Sequence, residues 1–283
     1  MTNPLINSIS IGYSPCPNDT FIFYGLTHGK IDLPGFDLAA PLLEDVETLN
    51  GWALEHRLDV TKLSFHALGH VLDEYCMLSS GSALGRGCGP LLVARTPLDL
   101  SSSGRCRVAI PGRLTTAALL FRLFLPEGAE LVEMRFDTIM AAVQQGQVDA
   151  GVIIHESRFT YQQEGLICLQ DLGLWWEQDT GHPIPLGCIA ARRSLGRERI
   201  AALEQAIRAS VDWAFAHPEQ CLPYIREHVQ ELEDRVVQEH IGLYVNDFSR
   251  ELGAEGMAAV AAFLQRGRDA GILPPSSHGL GLE

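Results

Sequence analysis

Short apolar runs alternate with helix-like segments along most of this 283-residue chain. Alternation of this kind predicts parallel strands joined by helices, and therefore an α/β fold. The predicted strands cover residues 8–13, 38–42, 58–63, 91–94, 107–110, 130–136, 150–154 and 186–191. The predicted helices cover residues 20–28, 46–54, 64–72, 115–125, 137–145, 200–215, 236–244 and 255–270.

The chain is long enough for two α/β lobes. Two crossings between lobes are expected, near residues 94–98 and 189–192. They would leave residues 96–189 as a second lobe inserted into a discontinuous first lobe of residues 1–95 and 190–283. A hinged molecule with a central cleft needs this arrangement.

Charge and cysteine usage restrict the partners and the compartment. The chain has 35 acidic and 21 basic residues, a formal charge of −14. Such a surface disfavours nucleic acids and anionic membranes, so a small anionic ligand would need a few fixed donors. We expect no secretory leader and no membrane span, because no basic region precedes an apolar run and no apolar stretch is long enough. Seven scattered cysteines without a CxxC pair favour reduced thiols in the cytoplasm.

Polar residues follow the predicted strands where helices begin. The carboxyl ends of strands border the crevice of an open α/β sheet, and helix N-termini there attract anions. Because Ser, Thr, Asp and Asn are also ordinary N-caps, each position alone has a structural explanation. Together they predict an anion-binding cleft formed by Ser14, Asn18, Asp19, Lys62, Leu63, Ser64, Thr115 and Thr116.

Lys62 and His155 each allow two interpretations. A lysine at the end of an apolar strand needs a carboxylate, either that of the ligand or that of Asp59 or Asp19. His155 follows the apolar run 150–154, where a neutral imidazole can accept a proton near neutral pH. A histidine in that position can equally be a capped structural residue.

Three other features resemble functional motifs and are interpreted as structural. His66, His70 and Glu74 share a helical face, but no glutamate follows the first histidine as in HExxH zinc sites. The segment 85–89 lacks the spacing of a nucleotide-binding loop and is predicted to be a tight turn. Cys16 has no base nearby in sequence, which makes nucleophilic catalysis a weak alternative.

Five stretches carry a more specific signal. They read SPCPNDTFIF at 14–23, KLSFHA at 62–67, GSALGRGCGP at 81–90, GVIIHESRFTY at 151–161 and PIPLG at 183–187. Their content and order resemble the 1,4-dihydroxy-6-naphthoate synthase family of the futalosine route to menaquinone. The first and fourth are the most specific, and the similarity weakens after about residue 195.

The resemblance implies a type II periplasmic-binding-protein-like fold and a lyase without a metal or organic cofactor. It implies conversion of cyclic dehypoxanthinylfutalosine to 1,4-dihydroxy-6-naphthoate, with dihydroxyacetone released. His155 matches the family's proton acceptor, and its substrate-binding positions match Lys62, Leu63, Ser64, Thr115 and Thr116. Two alternatives stay open: a chorismate dehydratase of the same pathway and fold, and a non-catalytic solute-binding protein. The sequence leaves the oligomeric state open.

Overall fold

The computed structural model describes residues 8–99, 106–127, 129–229 and 233–282. The strands are β1 Ser8–Ile9, β2 Ile11–Tyr13, β3 Asp37–Leu38, β4 Leu42–Leu43, β5 Val60–Ser64, β6 Tyr75–Met77, β7 Ala83–Gly85, β8 Leu91–Ala94, β9 Cys106–Ile110, β10 Ala129–Glu133, β11 Ala150–Ile153, β12 Ile167–Asp171 and β13 Ile184–Arg192. The helices are α1 Pro17–Thr27, α2 Val46–Leu54, α3 Phe65–Val71, α4 Thr116–Phe124, α5 Ile139–Gln144, α6 Ser157–Thr160, α7 Leu172–Thr180, α8 Arg197–Ala216, α9 Pro218–His228, α10 Asp234–Tyr244, α11 Asp247–Arg250 and α12 Gly253–Asp269.

The strands form two main sheets. The first has the order β4-β2-β5-β13-β6, with β7 paired to β13, and the second has the order β10-β9-β11-β8-β12. Within them β2, β4 and β5 run parallel, as do β9, β10 and β11. The strands β13 and β8 run antiparallel to their neighbours. The predicted α/β class is therefore confirmed, although both sheets are mixed.

The predicted lobe boundaries do not coincide with the changes of sheet. Strand β8, assigned to the first lobe by the boundary at 95/96, lies in the second sheet, and the boundary at 189/190 cuts β13 of the first sheet. The chain changes sheet between Gly85 and Leu91 and again between Asp171 and Ile184. We propose that the two lobes divide within these two segments, and not at 95/96 and 189/190. Residues 1–7, 230–232 and 283 of the predicted first lobe, and 100–105 and 128 of the second, lie outside the described residues.

Helix α8 shows how the first sheet is covered. Its predicted stripe Ile200, Leu203, Ile207 and Val211 is buried against an apolar cluster that includes residues of α1. Phe215, the last residue of the predicted stripe, is instead 45% exposed. A second buried cluster contains residues of both sheets and of α3, α4, α7 and α12, so the two sheets share a core.

Two predicted elements changed for local reasons, and one predicted turn is confirmed. Helix α1 begins three residues early, at Pro17, because proline fits the first turn of a helix. The predicted strand 38–42 is divided into β3 and β4, which flank Pro41. The segment 85–89 is a turn between β7 and β8, as expected. A Cβ on Gly89 would lie 2.3 Å from the Cα of Gly173, so this turn requires glycine.

Candidate functional site

All nine residues predicted for the site border one cavity of about 90 Å³, called here the inner chamber. Their side chains come from the ends of β2 and β5 and from the starts of α1, α3 and α4, with His155 after β11. Apolar groups complete the wall. The predicted residues in this wall are Ser14, Asn18, Asp19, Lys62, Leu63, Ser64, Thr115, Thr116 and His155, beside Ala83, Ile154, Leu186 and Tyr244.

A second cavity of about 210 Å³, the outer chamber, adjoins the inner one. His155 and Val46 border both chambers. The wall of the outer chamber contains more polar and ionisable groups, including Cys16, Glu44, Asp45, Arg135, Glu156, His228 and His240. His155 therefore lies at the junction of a mainly apolar chamber and a more polar one.

Lys62 forms an ion pair with Asp19, one of the two local acids considered for it. Its Nζ donates to Asp19 Oδ1 at 2.6 Å, and the two side chains are only 5% and 2% exposed. Ser14 Oγ donates to the other carboxylate oxygen at 2.7 Å, and Asn18 Nδ2 donates to Oδ1 at 2.8 Å. Asp59, the other candidate, accepts hydrogen bonds from Ser10 instead. The Lys62 ammonium group at the wall of the inner chamber is thus already neutralised by Asp19.

His155 has an unusual backbone and a crowded ring. Its φ is +56°, in the left-handed region that side chains other than glycine rarely occupy. The ring packs edge-on to Phe136 at 5.1 Å between centroids. Burial lowers the pKa of the imidazole, while the charge of Glu156 acts in the opposite direction. A neutral imidazole near pH 7 can accept a proton.

Cys16 lies beside His155, which the sequence spacing did not reveal. The distance from Cys16 Sγ to His155 Nδ1 is 3.7 Å. Burial, followed by the negative charge of Glu156, raises the pKa of the Cys16 thiol. A nucleophilic cysteine requires the opposite, a lowered thiol pKa beside a charged imidazolium. The raised thiol pKa therefore favours a neutral His155 that acts as a base over a Cys16 thiolate that acts as a nucleophile.

The hydroxyls of Thr115 and Thr116 are occupied by protein contacts. Thr115 Oγ1 donates to Gly112 O at 2.8 Å and accepts from Ala118 N as the N-cap of α4. Thr116 Oγ1 donates to Leu186 O at 2.6 Å and accepts from Phe65 N. The backbone N–H groups of Thr116 and Ala117 have no acceptor among the described residues. The donors that α4 offers are therefore backbone groups.

Ser64 keeps a donor for a ligand. It is the residue before α3, but its side chain does not cap that helix. Its Oγ accepts from Asn50 Nδ2 at 3.0 Å, which leaves its hydroxyl proton free to donate. Ser64 Oγ and the first N–H groups of α4 thus supply donors for an anion at one end of the inner chamber.

Helix α10 contributes residues that were not selected from the sequence. The helix was predicted, but His240 and Tyr244 were not chosen, although both border the cavities. Val236, His240 and Tyr244 follow at intervals of four and share one helical face. A histidine in the middle of an apolar stripe was the signal that could have identified this wall.

In the His66, His70 and Glu74 stripe, His66 is buried, His70 is half-buried and Glu74 is exposed. His66 is 2% exposed, its Nδ1 lies 3.1 Å from Thr115 O, and burial lowers its pKa to about 4. Within the described ranges no three His, Cys, Asp or Glu side chains are grouped to hold a metal. Over the same part of the chain no helix is long and apolar enough to cross a membrane.

A family model described as menaquinone biosynthesis matches residues 9–269. The chain belongs to this family. A relative from Thermus thermophilus, named 1,4-dihydroxy-6-naphthoate synthase, is 52% identical over 97% of this chain and 99% of its own length. A relative of the same name from Streptomyces coelicolor is 48% identical over 95% of both chains. Both names describe an enzyme, and the family resemblance expected from the five stretches is confirmed.

Solved structures confirm the predicted two-lobed fold. A crystal structure of a protein from Archaeoglobus fulgidus has a TM-score of 0.89 at 35% identity, covering 95% of this chain and all of that one. The periplasmic aliphatic sulphonate binding protein of Escherichia coli has a TM-score of 0.65 at 13% identity, covering 95% of this chain and 89% of its own. The menaquinone family member thus has the fold of periplasmic binding proteins.

Proposed function

We propose that this chain is a 1,4-dihydroxy-6-naphthoate synthase. It would convert cyclic dehypoxanthinylfutalosine to 1,4-dihydroxy-6-naphthoate and dihydroxyacetone. The observation that carries the proposal is the position of His155, a base with a lowered pKa at the junction of the two chambers. The two relatives of that name, which match over nearly their whole length, support the choice of reaction.

The two chambers suggest how the substrate is oriented. The inner chamber, with Leu63, Ile154, Leu186 and Tyr244, suits the fused ring system. Its carboxylate would meet Ser64 Oγ and the N-terminus of α4, where helix-end N–H groups favour an anion. The hydroxyl-bearing, sugar-derived part would then occupy the more polar outer chamber. The bond to be broken lies between these parts, next to His155.

The chemistry assigned to His155 is proton removal next to a carbonyl. The carbon–carbon bond to the sugar-derived part then breaks, and its two electrons remain in the ring system. The hydroxyl on the departing carbon loses its proton and becomes the carbonyl of dihydroxyacetone, while protons return to the ring oxygens as the second ring becomes aromatic. A positioned general base contributes about 10²- to 10⁴-fold to the rate. Redistribution of electrons within one substrate needs no external oxidant.

A cytoplasmic location is part of the proposal. All seven cysteines lie within the described residues and none forms a disulfide, as expected for a reducing compartment. The fold itself is equally compatible with solute binding, because periplasmic binding proteins share it. Activity therefore has to separate the alternatives.

The test is incubation of purified protein with cyclic dehypoxanthinylfutalosine. We expect naphthoate absorbance to appear together with an equal amount of dihydroxyacetone. His155→Ala is the matched control and should fold normally but form product at a far lower rate. Chorismate is offered in parallel. Turnover of chorismate, or binding of the futalosine derivative without any product, would refute the proposal.

A further inference from the structure

A hydrogen-bonded path determines which nitrogen of His240 carries the proton. Asn18 Nδ2 donates to the carboxylate of Asp19, so Asn18 Oδ1 is the acceptor that faces His240. His240 Nε2 lies 3.0 Å from that oxygen and must donate to it. The proton of a neutral His240 is therefore on Nε2, and Nδ1 presents a lone pair.

His240 Nδ1 has no hydrogen-bond partner among the described residues, although it is shielded from solvent. The whole residue is 1% exposed. Burial, and then the neighbouring His155, lower the pKa of His240 well below its usual value, so protonation does not supply a partner. Buried acceptors without a donor are rare in folded proteins, and each one needs an explanation, such as a catalytic role or a bound group.

The position of the ring indicates what the ligand could be. His240 borders the outer chamber, on the wall formed by α10. Its ring is nearly parallel to that of His155, with an interplanar angle of 9° and 6.0 Å between centroids. A ligand group that is hydrogen-bonded to His240 would thus lie within a few atoms of the ligand group on which His155 acts.

We propose that His240 Nδ1 accepts a hydrogen bond from a hydroxyl of the substrate, on the carbons that leave as the three-carbon product. This rests on the proposed function for the nature of the substrate. An acceptor fixed in one tautomer selects a donor, and a hydroxyl is the donor that a sugar-derived fragment offers. The contact orients the departing part relative to His155. His240 is thus a substrate-binding residue, distinct from the base.

Two substitutions separate the two nitrogens. His240→Gln places its amide near the position of Nε2, so it can keep the bond to Asn18 but lacks the acceptor at Nδ1. His240→Asn places an oxygen near Nδ1 and gives up the bond to Asn18. Both are made in a His155→Ala background, in which bound substrate is consumed far more slowly. Glu239→Gln, on the exposed side of α10, is the matched control.

The probes are cyclic dehypoxanthinylfutalosine and 1,4-dihydroxy-6-naphthoate, which lacks the departed carbons. His240→Gln should weaken substrate binding by about three- to tenfold, the worth of one ordinary hydrogen bond. It should leave product binding unchanged, and His240→Asn should retain more of the substrate affinity. Equal weakening for substrate and product, or no weakening at all, would overturn the proposal.

Two controls keep the result interpretable. Thermal unfolding checks that each variant is folded, and if His240→Gln is not, His240→Ala, which also lacks the acceptor, takes its place. Loss of affinity for the substrate alone in that variant supports the contact, whereas equal loss for both probes contradicts it. Failure of the proposed function is seen separately, as absence of turnover by the unmodified protein.

Discussion

Burial has opposite consequences for the two basic residues of the inner chamber. His155 has its pKa lowered, which favours the neutral form. Lys62 is buried together with Asp19, which compensates its charge at 2.6 Å. One residue is therefore suited to exchange a proton, whereas the other forms part of the charged scaffold of the wall. Each consequence can be measured separately.

The pH profile of turnover should reflect His155. Because burial disfavours the imidazolium, kcat/KM should fall only when the pH drops below the ordinary histidine value of about 6.5. His155→Asn should lose this acid limb and about 10²- to 10⁴-fold in kcat. Steady-state rates between pH 4.5 and 8 test this. A folded variant that keeps the limb and most of the rate would assign the base elsewhere.

The ion pair of Lys62 makes a simple substitution misleading as a test of ligand binding. Lys62→Met leaves the Asp19 carboxylate buried without its partner, which should cost about 3–5 kcal/mol of folding free energy. The double variant Lys62→Met/Asp19→Asn should recover a large part of that loss. Urea unfolding of both variants measures it. If the single variant is as stable as the parent, the pair has no structural role.

Sequence reasoning placed the nine site residues because their positions follow from local rules about strand ends and helix starts. It did not place Cys16 beside His155 or His240 beside Asn18, which are 139 and 222 residues apart in the chain. Helical periodicity shows which face of α10 is apolar, but only tertiary packing determines what that face meets. The predicted site therefore lacked those contacts that join side chains far apart in the sequence.

At the scale of elements, the start of α4 combines two tasks. Its first residues supply backbone donors to the inner chamber, while the hydroxyls of Thr115 and Thr116 bind the turn before the helix, α3 and β13. Because both hydroxyls are bonded to protein groups, we propose that the binding predicted at Thr115 and Thr116 comes from the backbone N–H groups at the start of α4.

Substitutions at the start of α4 and at the end of β5 should therefore differ in their effect on product binding. Thr115→Val removes an N-cap and should cost about 1 kcal/mol of stability with little effect on product affinity. Ser64→Ala should cost about 1–3 kcal/mol of stability, because the buried Asn50 amide loses an acceptor, and should also weaken product binding by about 10- to 100-fold, as for a hydrogen bond to a charged group. Calorimetric titration and thermal unfolding of both variants check this. The reverse pattern would place the carboxylate elsewhere.

Other elements were missed because their patterns are weak. Strand β12 is half exposed and polar at its end, and α7 follows it without a regular apolar stripe. The apolar run of β13 was recognised, but its antiparallel direction depends on pairing with β5, more than a hundred residues earlier. Strand direction is a tertiary property that local pattern does not contain.

At the scale of the whole molecule, buried histidines make the free energy of unfolding depend on pH. The pKa values of His66, His155 and His240 are all lowered by burial, to about 4 for His66. The unfolded chain binds protons at these residues from about pH 6.5 downward, and the folded chain does not. Stability is therefore fully present above that pH and is lost progressively as the pH falls.

The expected slope is up to about 1.4 kcal/mol per pH unit for each of these histidines. Urea midpoints at pH 7.5 and 5.5 measure it, within a range where most carboxylates stay charged. His66→Gln should reduce the slope without abolishing it. Equal midpoints at the two pH values would mean that these histidines take up protons in the folded state.

The position of β13 in the first sheet has a consequence for synthesis on the ribosome. Strands β5 and β6 are complete by Met77, yet the strand that joins them ends only at Arg192. At a synthesis rate of about 5–20 residues per second, the facing edges of β5 and β6 stay unpaired for on the order of ten seconds. The second sheet lies wholly within residues 91–171 and can assemble first. The nascent chain should thus become protease-resistant from its middle outward, which ribosome-stalled chains ending before and after β13 would reveal.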